Sequence, residues 1–171
     1  MSNIRDFVSS FKTDLARPSR FDVFINLPPL ISFQEFNVAS LIDRCESAHL
    51  PGRTLGTTEQ KTYGPTEKFP YMTTFTDLDL TFIVDDDMKT KMFFDGWLEY
   101  INPLSSNDFQ YKENYSADIR INQYSVDNQL TYSVNVLDAY PISVNQLDLD
   151  WGSEGYHKLN VTFAYTRWEK N

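Results

Sequence analysis

The 171-residue chain predicts an α+β domain dominated by antiparallel sheet, a small β-sandwich or barrel with one flanking helix and a short N-terminal helix. Three observations carry this. Several segments alternate apolar and polar residues with period two, as half-buried strands do. Only one later segment has a helical period. Aromatic residues, which favour strands, make up 15% of the chain. The length suits a single domain, 1–171, with a core that needs no staples.

In chain order, Ser2 is placed to cap an N-terminal helix or arm over 1–16, in which Ile4, Phe7, Val8 and Phe11 share one face. Arg17-Pro18 ends it. Phe21, Val23, Ile25 and Leu27 form the first alternation, closed by Pro28-Pro29. A second strand is expected over 38–47, with Leu41 and Cys45 on one face and Arg44 and Glu46 on the other. Residues 53–76 are polar, rich in Thr and Tyr and interrupted by Gly56, Gly64, Pro65 and Pro70. They predict a strand near 59–63 within a long exposed excursion, and such an excursion in a compact domain is usually functional or disordered.

Leu78, Leu80, Phe82 and Val84 alternate cleanly. Asp85, Asp86 and Asp87 then lead into a helix over 87–101, with Met88, Met92, Phe93, Trp97 and Ile101 on its apolar face. Carboxylates there suit helix capping, with a divalent cation as the other use. A hairpin follows: Ile119 and Ile121 oppose Asp118, Arg120 and Asn122. After the Asp127-Asn128 turn, Leu130, Tyr132, Val134 and Val136 oppose Thr131, Ser133 and Asn135. Tyr140-Pro141 is expected to break the strand, and Val144, Leu147 and Leu149 to return the chain to the core. Leu159, Val161, Phe163 and Tyr165 make the closing strand.

Chemistry is sparse. His49 and His157 are the only histidines, and neither has a second His or Cys at metal-binding spacing. No strained nucleophile turn or phosphate loop occurs. No catalytic, cofactor or metal residue is nominated, and Cys45 reads as a small core residue. The lone cysteine excludes an internal disulfide framework, and no apolar run approaches a membrane span. The N-terminal residues do not read as a signal peptide. Fifteen basic against 24 acidic residues, a net charge of −9, oppose stable nucleic-acid binding.

The order of these features resembles the tail tube proteins of contractile-tailed bacteriophages. The resemblance rests on Ala16-Arg17-Pro18 entering the first strand and on the Cys45 strand ending at Leu50-Pro51. It continues through the strand, acidic turn and helix around 78–97 and the run Tyr140-Pro141, Val144, Leu147, Leu149-Asp150-Trp151. It closes on Trp168-Glu169. It implies a virion subunit, assembled in the host cytoplasm, that closes into stacked hexameric rings forming the inner tail tube. Its implied partners are its own copies, the sheath, the baseplate or tube initiator, and, within the lumen, the tape measure protein and passing DNA. Arg44, Glu46, Asp118, Arg120, Asn122, Ser133 and Asn135 are then expected to face the lumen. Phe7, Phe11, Phe69, Tyr71 and Phe75 are expected between subunits, the last three on the 53–76 excursion. Two other readings stay open: a ring protein of a related bacterial contractile injection system, and a monomeric β-sandwich that binds ligands through the aromatic loop at 63–75.

Overall fold

The computed structural model of the chain describes residues 4, 15–28, 39–61, 63–152 and 154–171. The expected N-terminal helix, with Phe7 and Phe11, lies outside the described residues apart from Ile4. The described chain is mainly antiparallel β-structure, as its alternating segments predict.

Strands β1 (Phe21–Asn26), β6 (Ala117–Tyr124), β7 (Leu130–Val144) and β9 (Arg167–Lys170) make one sheet, in that order. The C-terminal part of β7 continues into a second sheet with β8 (Lys158–Ala164), β5 (Leu78–Ile83) and β2 (Cys45–Ala48). One strand therefore belongs to both sheets. Strands β3 (Arg53–Gln60) and β4 (Glu67–Phe75) pair only with each other.

The alternating residues explain the core. Val23 and Ile25, Ile119 and Ile121, and Val134 and Val136 bury the inner face of the first sheet. Leu78, Leu80 and Phe82 with Leu159, Val161 and Phe163 do the same for the second. Helix α2 (Lys89–Ile101) closes the core with Phe93, Phe94, Trp97 and Ile101. The Phe94 ring lies 5.0 Å from Phe82 and 6.1 Å from Phe163, and Trp97 lies 6.0 Å from Phe163, all within the range of favourable ring contacts. The Trp97 indole N–H donates to the carbonyl of Tyr115, the last residue of the short helix α3 (Lys112–Tyr115), at 2.9 Å.

Four expectations change. Residues 39–44 form a short helix, α1 (Ala39–Arg44), and only 45–48 are strand. Leu41 and Cys45 are four apart, a spacing that fits both a period of two and a helical turn, so alternation could not separate them. Tertiary context decides: α1 lies across β1 and β5 near the open ends of the strand path, with Leu41 buried.

Helix α2 begins at Lys89, after Met88 in the left-handed region (φ 55°), and its buried face runs through Phe93 and Phe94 while Met92 is exposed. The Asp87 carboxylate accepts the Lys89 N–H at 3.3 Å and pairs with its ammonium at 2.7 Å, whereas Asp85 pairs with Arg44. Two of the three aspartates, Asp85 and Asp87, are thus divided between a helix start and two cations.

Pro141 does not end β7. It pairs opposite Phe163 beside a register shift, on the outermost strand of the second sheet. A proline is tolerated at an edge or bulge because no ladder donor is required there. The bend precedes it: Asp138 adopts φ 55°, and the register with β6 shifts between Ala117 and Ile119. That bulge steers β7 from one sheet into the other.

Finally, Leu149 does not return to the core. It is 88% exposed, while Val144 and Leu147 do pack against the core.

Candidate functional site

Because the inner faces fill the core, register sends the alternate residues of β1, β6, β7 and β9 to the opposite side. Three cross-strand rows result. Asp22, Asn122 and Ser133 form the first. Phe24, Arg120, Asn135 and Glu169 form the second; the third is interrupted by the register shift at Asp118, with Asn26 opposite Asp118 on one side and Leu137 opposite Arg167 on the other.

The structure brings five of the seven predicted lumen residues onto this face. Asp118, Arg120 and Asn135 are accessible, and the Arg120 Nε–H donates to Asn135 Oδ1 at 3.0 Å. Asn122 and Ser133 lie in the face but are only 7% and 4% exposed. Ser133 donates to Asn122 Oδ1 at 2.7 Å, and the Tyr124 hydroxyl donates to Asp22 Oδ2 at 2.6 Å. The Tyr124 pKa is raised chiefly because its proton is held by the Asp22 carboxylate. This end of the sheet is thus stiffened by its own polar groups.

Arg44 and Glu46 are elsewhere. Arg44 ends α1, pairs with Asp85 and donates to Thr90 Oγ1 at 3.1 Å. Glu46 accepts from Lys158 Nζ at 2.6 Å and from the Tyr156 hydroxyl at 3.3 Å, at the edge of the second sheet. The separation follows from the helix at 39–44, which removes the shared strand face.

Sequence reading missed Asp22, Phe24 and Asn26, and also Arg167 and Glu169. The signal was present in the FDVFIN segment: Val23 and Ile25 point inward, so the residues between them point outward. Phe24, apolar and outward, obscured the alternation. The charged residues of the face, Asp22, Asp118, Glu169, Arg120 and Arg167, leave it close to neutral.

The 53–76 excursion is an ordered β-hairpin. Its strands pair from Arg53 opposite Phe75 to Gln60 opposite Glu67, with one bulge after Gly56. Gly64 in the connection has φ 125°, a backbone region that side chains disfavour. Nearly every described hairpin residue is exposed, on both ribbon faces, including Leu55, Phe69, Tyr71 and Met72. Phe75, at the root, differs: it is partly buried and its ring lies 5.9 Å from Tyr165 of the same chain. A lone two-stranded ribbon is marginal in water.

Residues with catalytic potential are scattered. His49 Nδ1 lies 3.4 Å from the Asp79 carbonyl oxygen, and the His157 carbonyl accepts the Val84 N–H at 3.1 Å. No group of three His, Cys, Asp or Glu residues among the described residues could hold a metal ion. Among them, no helix is long and apolar enough to cross a membrane. Burial pushes the Cys45 thiol up to about 12. A reactive cysteine needs the thiolate, so alkylation at pH 8 should be at least tenfold slower in the native protein than in denaturant. The folded pKa exceeds the unfolded value of 9.0, so Cys45's contribution to stability is full below pH 9 and is lost as pH rises towards about 12. Thiol labelling across this range checks both statements.

A polar-faced sheet, a ribbon that pairs with no other strand among the described residues, and a filled core suit a structural assembly subunit. The family comparison agrees: residues 16–171 match the model of the phage tail tube protein family, and the chain belongs to that family. It is thus a tail tube protein, a structural class. The fold is shared with a chain of the anti-feeding prophage baseplate at TM-score 0.69 and 17% identity, covering 93% of this chain and 97% of that one. It is shared with a chain of the sheath/tube terminator of the extracellular contractile injection system PVC at TM-score 0.65 and 19% identity, covering 94% and 99%. A chain of the PVC sheath-tube complex gives TM-score 0.62 and 17% identity, covering 100% and 99%. No curated protein matches the sequence.

Proposed function

We propose that the chain closes into hexameric rings through the edges of its polar-faced sheet, and that the rings stack into a tube whose lumen this face lines. The observation that carries the reading is the direction of the edge strands. Each of β1, β6, β7 and β9 is antiparallel to its neighbour, so the two edges, β1 and β9, run in opposite directions. Rotation of one copy about a ring axis sets β1 of one subunit beside β9 of the next as antiparallel neighbours. A continuous barrel then removes both open edges, which would otherwise invite aggregation. The hairpin, with Phe69 and Tyr71 exposed, contacts neighbouring subunits, and a sheath surrounds the tube in the assembled particle.

Negative-stain microscopy of the purified full chain tests this. Rings of six, and tubes at high concentration, are expected; a 19.9 kDa monomer at every concentration, by sedimentation, would overturn it.

In a phage, DNA passes through the lumen. An accessible face close to neutral, with Asn135, Arg120 and Asp118 at its centre, offers no strong attraction for phosphate. Asp118→Lys with Asn135→Lys adds two positive charges and removes one negative charge per subunit, and should leave rings intact while slowing DNA exit in a salt-dependent way. Ser133 is a poor site for this test because it is buried and bonded to Asn122. Likeness to injection-system tubes favours a second reading, in which the lumen carries another cargo. Particles carrying the two lysines that deliver with unchanged kinetics and salt response would support that reading over DNA passage.

A further inference from the structure

Within the subunit the unbroken row of the polar face runs straight, with Phe24, Arg120, Asn135 and Glu169 in register from β1 to β9. A closed barrel needs a stagger, because its strands tilt against the axis. In a ring of identical copies that stagger falls at the seam, where β1 of one copy meets β9 of the next. The pairing of β1 with β6 reaches back to Arg20, whose carbonyl accepts the Tyr124 N–H at 2.9 Å. That of β9 with β7 reaches on to Asn171, whose N–H donates to the Ser133 carbonyl at 3.0 Å. By alternation, Arg20, Asp22 and Phe24, and Arg167 and Glu169, spend their backbone groups inside the subunit. Across a seam they form the non-hydrogen-bonded kind of antiparallel pair, in which side chains lie closer.

Three features of the two edges select the stagger. The first is charge order. With Arg20 opposite Glu169, Asp22 falls opposite Arg167, and both pairs are complementary. The unshifted row sets Phe24 opposite Glu169 and leaves both cations unused. A shift of two residues sets Asp22 against Glu169, a like-charged pair that destabilises a sheet. The second feature is an orphan. Asp22 gives Oδ2 to the Tyr124 hydroxyl, while its Oδ1 is buried with no hydrogen-bond partner. A guanidinium from the next copy satisfies such an acceptor. Arg167 and Glu169 meanwhile bond each other within one strand at 2.9 Å, each more than half exposed, a pairing weak enough to exchange. The third feature lies on the core side, where the same register sets Phe21 against Trp168. Both are partly buried aromatic residues at the edges of the core.

We propose that β1 of one copy and β9 of the next join with Arg20 opposite Glu169, Phe21 opposite Trp168 and Asp22 opposite Arg167. This rests on the ring reading above and specifies the register of its seam, four residues from the unshifted row. Barrel geometry agrees with that figure. With four strands per subunit, a four-residue stagger at every seam gives a shear equal to the number of strands. An eight-stranded barrel of shear eight has the same proportion, and its strands tilt by about 36°. The two ion pairs run in opposite order, so a seam displaced by two residues loses both and gains a repulsion. The charges thus act chiefly by rejecting wrong registers.

Rings of the full chain test this. In a Cys45→Ser background, Arg20→Cys with Glu169→Cys brings two thiols onto facing positions, and oxidation should link every subunit of a ring on a denaturing gel run without reductant. Phe24→Cys with Glu169→Cys, the unshifted pair, is displaced by four residues, about 13 Å, too far for a disulfide, and should not link. Arg20→Glu alone and Glu169→Arg alone should each raise the concentration at which rings half-assemble roughly tenfold. The two together should return it to within about threefold of wild type, since the charges complement again. Linking of the unshifted pair in place of Arg20→Cys with Glu169→Cys, or a double variant no better than the singles, would overturn the register while the rings stand. A wild-type chain that forms no rings would overturn the ring reading and the register with it.

Discussion

Removal of the β3–β4 hairpin abolishes tubes and leaves a folded subunit: this is the expected result with the largest effect on assembly. Arg53 and Phe75 are cross-strand partners at its root, so an Asn-Gly turn inserted between them can replace residues 54–74. Phe75 stays, with its contact to Tyr165. The described residues among those removed are exposed apart from the half-buried Gly56, and none of them contributes to the buried core. The melting temperature of the subunit should therefore move by no more than about 3 °C, the shift that about 1 kcal/mol makes in a chain of this size. Tubes should fall below detection in negative stain. Tubes of wild-type length from the shortened chain would show that the ribbon is dispensable for assembly.

Trp97→Ala should give the largest loss of stability. Trp97 has no exposed surface and contacts Phe93, Phe94 and Phe163. Truncating a buried Trp costs about 3–5 kcal/mol through lost transfer energy and the cavity left behind. The Tyr115 carbonyl also loses its donor. A total near 5 kcal/mol is a large share of the stability of an ordinary domain, about 5–15 kcal/mol. Thermal unfolding of the unassembled subunit should show a fall of about 10–20 °C. Trp97→Phe keeps most of the packing and loses the N–H, so it should recover more than half of that fall. An alanine variant that melts within a few degrees of wild type would mean that the helix does not close the core.

How far the sequence could be read depended on the range of the interaction that decides each element. Strict alternation carried its own answer. Val23 with Ile25, Ile119 with Ile121, Val134 with Val136 and Leu159 with Phe163 can bury their side chains only as strands with one face inward, so inward and outward residues follow together. The same rule put Asp118, Arg120 and Asn135 on one exposed polar face before any partner strand was known. The order of these elements also carried the family, which the match over residues 16–171 shows.

Tertiary structure alone decided the rest. A four-residue spacing at Leu41 and Cys45 fits two periods, and the position across β1 and β5 selects the helix that takes Arg44 to Asp85 and away from the polar face. A proline breaks a strand only where its missing N–H is needed, and the bulge at Asp138 and the sheet edge make Pro141 harmless. Asn122 and Ser133 read as solvent-facing until register places them side by side and their hydrogen bond consumes them. The excursion at 53–76 could show its exposure through its polar residues, but its ordering as a ribbon depends on pairing between residues up to 22 apart. Alternation is local and survives in a one-dimensional string; edges, bulges and cross-strand partners exist only once distant segments lie side by side.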